Sequence, residues 1–143
     1  MESQPLIVER SYNAPIEKVW KAISDKDQMQ QWYFKFEDFK AEKGFKFQFT
    51  GGDKHVQYLH ECEVLECDPP NKLSYSWTYA DYQGHSVLTW ELTAEGENKT
   101  HLRLSHSGLE SFPQNNPNFR VESFSTGWNY FVNKALPAFV EEA

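Results

Sequence analysis

The 143-residue chain is poor in several things, and each shortage excludes a class of function. Basic charge is short: 14 Lys and Arg stand against 21 Asp and Glu, for a net charge of -7. A duplex-binding protein neutralises phosphates with Lys and Arg, so nucleic acid is not an expected partner. An anionic membrane surface is excluded by the same balance. No apolar run approaches the ~20 residues of a membrane helix. The start, MESQPLIVER, has Glu2 and no apolar signal core, so the cytoplasm is the expected compartment. Cysteine is nearly absent. Cys62 and Cys67, five apart in an apparent strand, would face opposite ways and lie too far apart to bridge. Free thiols in a reducing compartment are the expectation. No Gly-rich loop sits between a strand and a helix to cradle phosphate; "GFKFQFTGGD" lacks that context.

Aromatic residues are abundant at 16%, and their spacing organises the chain. In "LIVERSY" Leu6, Val8 and Tyr12 share a strand face, with the Arg10 stem able to lie along it. Pro15 suits a first helical turn, and Ile16, Val19, Trp20 and Ile23 then fall on one helical face. "SDKD" (24–27) reads as a capping box restarting a short helix that carries Met29 and Trp32. The period then drops to two. "FKFEDF" and "FKFQFT" alternate aromatic with polar, the second through Phe45, Phe47 and Phe49. "GGDKH" (51–55) reads as a turn. The next strand groups Val56, Tyr58, His60, Cys62 and Val64, and the Val64-Leu65 doublet predicts a bulge. "KLSYSWTY" puts Leu73, Tyr75, Trp77 and Tyr79 on one face; "VLTWEL" and "THLRLSH" supply Leu88, Trp90, Leu92, Leu102, Leu104 and His106. The spacing of Phe124, Trp128, Phe131, Val132, Ala135 and Phe139 predicts one long amphipathic helix over about 122–141. Ser123 or Ser125 would cap it, and Gly127 would allow a close approach. Pro137 would free the Asn133 carbonyl and bend the helix, either to wrap it on the sheet or to loosen its end as a gate.

About seven strands at ~4.8 Å make a sheet far wider than one helix of ~10 to 12 Å. The sheet must therefore curl around that helix, with the two short helices plugging an end. The expected architecture is α+β: a curved antiparallel sheet of about seven strands around a long C-terminal helix, in one domain over 1–143. Inward aromatics would line or fill the space between them.

"APIEKVWKAISDKDQMQQW", "DPPNKLSYSW", "VLTWEL" with "THLRLSHSGL", and "GWNYFVNKALPAF" resemble the activator of heat-shock-protein-90 ATPase homologue family. That family lies in the START-like, birch-pollen-allergen-like (SRPBCC) superfamily. The resemblance implies a helix-grip fold with a hydrophobic cavity between the sheet and the last helix. It carries over no catalytic residue and no cofactor; Gly127 and Trp128 stand where the family has a Gly-Trp pair. It implies lipid or hydrophobic-ligand binding, a chaperone as an alternative partner, and a cyclase- or dehydratase-type cavity enzyme as a further alternative.

Candidate ligand-binding residues are Phe47, Tyr58, His60, Tyr75, Trp77, Trp90, His106, Trp128 and Phe131, facing a hydrophobic or aromatic small molecule. His60 and Cys62 are two potential zinc ligands where at least three are needed, so no metal is expected. His106 points inward, either to a ligand or to a partner within the core. His101 points outward. Ser107 and His106 face apart, and "SHSG" is not a nucleophile elbow. Glu61 and Glu63 belong to the solvated face.

Overall fold

The computed structural model describes residues 5–36, 38–52 and 57–141. Of the turn expected at 51–55, Gly51 and Gly52 extend β2 instead, and 53–55 lie outside the described residues, as do Val56 and the Glu37 position of the "FKFEDF" alternation. The elements run β1 (Leu6–Tyr12), α1 (Ile16–Ser24), α2 (Lys26–Trp32), β2 (Lys46–Gly52), β3 (Gln57–Asp68), β4 (Lys72–Tyr79), β5 (Ser86–Gly96), β6 (Lys99–Ser107), α3 (Val121–Tyr130), a π turn (Phe131–Ala135) and α4 (Leu136–Val140). The sheet is antiparallel with order β1-β6-β5-β4-β3-β2 and six strands rather than seven. The missing strand is "FKFEDF". Around Glu37 its described residues form no ladder, yet Phe36 and Phe39 are buried against Phe47 at 5.5 and 4.9 Å between rings. Alternate burial alone produced the strand-like pattern.

Elsewhere the alternation reports the dry face correctly. Buried Leu88, Trp90 and Leu92 face across to buried Leu102, Leu104 and His106. The register of β3 against β4 shifts between Val64 and Glu66, the bulge expected at the Val64-Leu65 doublet. Cys62 and Cys67 are free, the first buried and the second partly so. Helix caps differ in detail. Pro15 sits one residue before α1, and Asp25 rather than Ser24 caps α2, accepting the Gln28 N–H at 3.2 Å. Ser24 turns back to the Trp20 carbonyl instead. The indole of Trp32 donates to the Ala22 carbonyl and ties α2 beneath α1.

The C-terminal helical run covers Val121–Val140, close to the expected span. Neither Ser123 nor Ser125 caps it; Arg120 is the N-cap and has no capping side-chain bond. Gly127 makes no close approach, since a Cβ built there meets nothing within 4 Å.

The proline is accommodated in an unexpected way. Leu136 N–H reaches back five residues to the Phe131 carbonyl, and Pro137 has no N–H. The Val132 carbonyl thus loses its usual donor to the π turn, and the Asn133 carbonyl loses its usual donor to the proline. β1 supplies both. Tyr12 O–H donates to Val132 O at 2.6 Å, and Arg10 Nη1–H donates to Asn133 O at 3.0 Å. The two carbonyls that proline and the π turn release are the points at which the sheet edge holds the helix.

Candidate functional site

Between α3 and the inner faces of β3 and β4 lies an open cleft of about 720 Å³. Its floor is Trp77 and Trp128, with ring centroids 5.3 Å apart. Tyr58, His60 and Tyr79 form the sheet wall, and Phe34 and Phe131 close one side at 5.2 Å from each other. Phe119, Asn118 and Phe124 close the other, and Ser123, Thr126, Gly127 and Tyr130 make the helix rim. Asp, Glu, Lys and Arg are absent from the described lining. What polarity the groove has comes from neutral hydroxyl, amide and imidazole groups.

The loop between β6 and α3 carries Phe112 and Phe119, and glycine sets its course. Gly108 sits at φ 85°, and a Cβ there would stand 2.6 Å from the His85 carbonyl oxygen. Phe119 then stacks beside Tyr79 (4.8 Å) and Tyr58 (5.1 Å). Asn116 fixes the same corner: its Oδ1 accepts the Asn118 N–H, so its amide nitrogen is the donor to Tyr58 Oη at 3.2 Å.

The floor tryptophan is pinned from behind. Trp128 Nε1–H donates to His106 Nδ1 (3.0 Å), so the neutral His106 ring carries its proton on Nε2. That N–H donates to Ser86 Oγ (2.8 Å), whose own proton goes to the Trp77 carbonyl (2.8 Å). Every donor in the chain has an acceptor. His106 is 0% exposed, and burial lowers its pKa to about 3. His60 differs in placement but not in state. It lines the groove, stacks on Phe49 at 4.4 Å, and donates Nδ1–H to the Tyr58 carbonyl at 3.0 Å. Burial lowers its pKa to about 4, outweighing the carbonyls of Tyr58 and Phe49, which raise it. Both rings are neutral at pH 7.

The groove therefore gathers Tyr58, His60, Trp77, Trp128 and Phe131 from the sequence-predicted set. The others are packed off it. Trp90 donates Nε1–H to Tyr75 Oη at 3.1 Å, both side chains being 1% exposed, and Phe47 packs on Tyr75 at 5.2 Å. His106 lies behind Trp128. Sequence reasoning missed Phe34, Tyr79, Asn118, Phe119, Phe124 and the exposed Gly127 edge. Phe119 carried a signal: a large apolar residue within the polar run "QNNPNFR" must bury somewhere.

Ser11, His101 and Glu9 adjoin on the outer sheet face, with His101 Nε2 2.9 Å from Glu9 and Nδ1 3.3 Å from Ser11 Oγ. Ser11, however, gives its proton to Glu95 at 2.7 Å, so the histidine does not prime it as a nucleophile. Among the described residues no group of His, Cys, Asp and Glu is placed to hold a metal ion. The Cys62 thiol is pushed up in pKa by burial, away from the thiolate a metal would need. Among the described residues no helix is long and apolar enough to cross a membrane.

Solved structures share this architecture over nearly the whole chain. MLL2253 from Mesorhizobium loti is 29% identical, with a TM-score of 0.77 over 96% of this chain and 97% of that one. BH1534 from Bacillus halodurans is 27% identical, with a TM-score of 0.72 over 97% and 98%. CalU16 from Micromonospora echinospora is 25% identical, with a TM-score of 0.74 over 95% and 75%. No curated protein sequence matches the chain. The family profile described as Activator of Hsp90 ATPase homolog 1-like protein matches residues 13–141, and the chain belongs to that family.

Proposed function

We propose that this protein binds flat, uncharged hydrophobic small molecules in the groove between α3 and the β3–β4 face. The observation that carries this reading is the groove itself: aromatic walls, neutral polar groups at its edges, and a mouth open to solvent. An open aromatic cleft of this size is the usual form of a small-molecule site. The fold supports the reading as well, since helix-grip proteins commonly hold hydrophobic ligands in this space. We take residues 1–143 as one binding domain. Two free cysteines suit a reducing compartment, and we assign it to the cytoplasm on that ground.

The other readings have less behind them. A chaperone as partner rests on the family description alone. A cyclase or dehydratase needs an acid and a base converging on the cleft. His60 is the one histidine among the described lining residues, and no carboxylate stands with it there to orient it.

The test uses the floor tryptophans as reporters. Planar tricyclic and tetracyclic compounds, screened by tryptophan fluorescence and melting temperature, are expected to bind with dissociation constants on the order of micromolar. Absence of any shift across such a panel, with a fatty acid series equally silent, would exclude the binding function.

A further inference from the structure

We infer that the Tyr79 hydroxyl is a hydrogen-bond donor to the groove's ligand, so that the ligand is a planar apolar molecule carrying a carbonyl or ether oxygen. The inference rests on the groove being a ligand site, and it names the chemistry that site selects.

The protons can be followed one by one. Trp77 Nε1–H lies 2.9 Å from Tyr79 Oη. An indole nitrogen only donates, so the tyrosine oxygen is the acceptor in that bond. The hydroxyl keeps its own proton, and among the described residues no acceptor receives it. Tyr79 is 7% exposed and lines the groove, so whatever occupies the groove, water or ligand, is the acceptor open to that proton. Buried hydroxyls nearly always find a partner for each strong hydrogen-bonding group, and a vacant one calls for an explanation.

The neighbouring polar groups do not share this condition. Tyr58 Oη accepts from the Asn116 and Asn118 amide nitrogens at 3.2 and 2.9 Å, and exchanging the oxygen and nitrogen of the Asn118 amide would give the Tyr58 proton an acceptor. Thr126 donates to the Glu122 carbonyl within α3. His60 commits Nδ1–H to the Tyr58 carbonyl. Tyr79 is thus the buried groove hydroxyl whose donor has no acceptor among the described residues, and it sits between aromatic faces: Phe119 at 4.8 Å and His60 at 4.7 Å. A flat ligand inserted there meets one directed polar group in an apolar slot. A hydrocarbon of the same shape would displace any water on that hydroxyl and leave the donor unpaired.

The experiment compares 9-fluorenone with fluorene, which differ by a carbonyl in place of a methylene. Affinities are measured by calorimetry and tryptophan quenching on wild-type protein and on Tyr79→Phe. The wild type is expected to prefer the ketone by about tenfold. Tyr79→Phe is expected to lose the ketone preference; because it also leaves the Trp77 indole N–H without its acceptor, fluorene affinity is measured in the variant as the reference rather than taken as unchanged. The ratio is read within each variant, so a modest change in stability cancels. A second measurement needs no variant: the carbonyl stretch of bound fluorenone should fall below its value in dry hydrocarbon. If both compounds bind alike to the wild type, or the stretch is unmoved, the donor assignment is wrong while the binding function stands. Should neither compound bind, with the wider aromatic panel also silent, both fall together.

Discussion

The C-terminal helix meets the sheet in two different ways on its two sides. Toward β1, β6 and β5 the contact is bonded and dry. Tyr12 and Arg10 hold two helix carbonyls, His106 holds the Trp128 indole, and Leu88, Leu102 and Leu104 are 0% exposed. Toward β3 and β2 no comparable bond joins helix to sheet among the described residues. Ring stacking and the 109–119 loop do the holding, and a cleft remains. One helix on one sheet thus has a fixed side and an open side. The fixed side lets the open one exist, because a helix anchored by directional bonds along one edge does not collapse onto the other face to fill it. The same contrast bears on the two roles for Pro137. Its released carbonyls are the anchor points, so the structure speaks for the proline as part of the fixed side rather than as a gate.

Acid should break both sides at once and by the largest amount. His60 and His106 have folded pKa values of about 4 and about 3, below the unfolded value of 6.5. Between those limits the unfolded chain binds more protons than the folded one. Stability is therefore full above pH ~6.5 and falls as pH drops, by about 1.4 kcal/mol per pH unit for each histidine. By pH 5 the two together should cost roughly 4 kcal/mol. Urea unfolding at pH 7, 6 and 5 measures this, and His60→Asn should remove about half of the slope. Proton NMR separates the sides: a His106 ring titrating near pH 6 would show that the bonded chain behind Trp128 is open to water.

How much of this contrast could be read in the sequence depends on the range of the forces involved. Strand faces were legible because a dry face imposes a period of two, and Phe45 to Phe49, Leu88 to Leu92 and Leu102 to His106 all obey it. "FKFEDF" obeys it too without joining the sheet, because alternate burial is satisfied as well by a segment laid across aromatic neighbours. The family resemblance located the space between sheet and helix. It could not divide the inward aromatics. Trp77 lines the groove and Trp90 fills the core, yet both alternate identically within their strands; the difference is where the helix axis crosses, which is a tertiary fact. Arg10 looked like an exception on an apolar strand face. Its meaning appeared only with Asn133 O beside it, 123 residues away in the chain. Tyr79 was legible as inward, but its spare proton depends on Trp77 two residues back turning its indole the same way.

The fixed side can be tested alone through its buried hydroxyl. Tyr12→Phe removes the donor to the Val132 carbonyl and leaves that group buried without a partner, which should cost about 1 to 3 kcal/mol. Pro137→Ala returns a backbone N–H to the same turn. In that background the helix can supply the missing bond, so Tyr12→Phe should cost less than about 1 kcal/mol. The four proteins form a double-mutant cycle read by urea unfolding at pH 7.5. Equal costs in both backgrounds would mean that the proline and the Tyr12 anchor are unrelated.

The smallest effect belongs to the open side, and its two readouts should move independently. Gly127 is exposed within α3, its added Cβ meets nothing within 4 Å, and it edges the groove. Alanine in an exposed helix interior is favoured over glycine by up to about 1 kcal/mol, so Gly127→Ala should raise stability by roughly 0.5 to 1 kcal/mol. The new methyl group stands at the groove edge, where it narrows the entrance without touching the sheet. Affinity for the narrow probe fluorene should hold, while a bulkier tetracyclic compound should bind more weakly. A loss of stability would show that α3 is packed more closely on the open side than the cleft implies. A gain in stability with unchanged affinity for every probe would place the ligand elsewhere than against this stretch of helix.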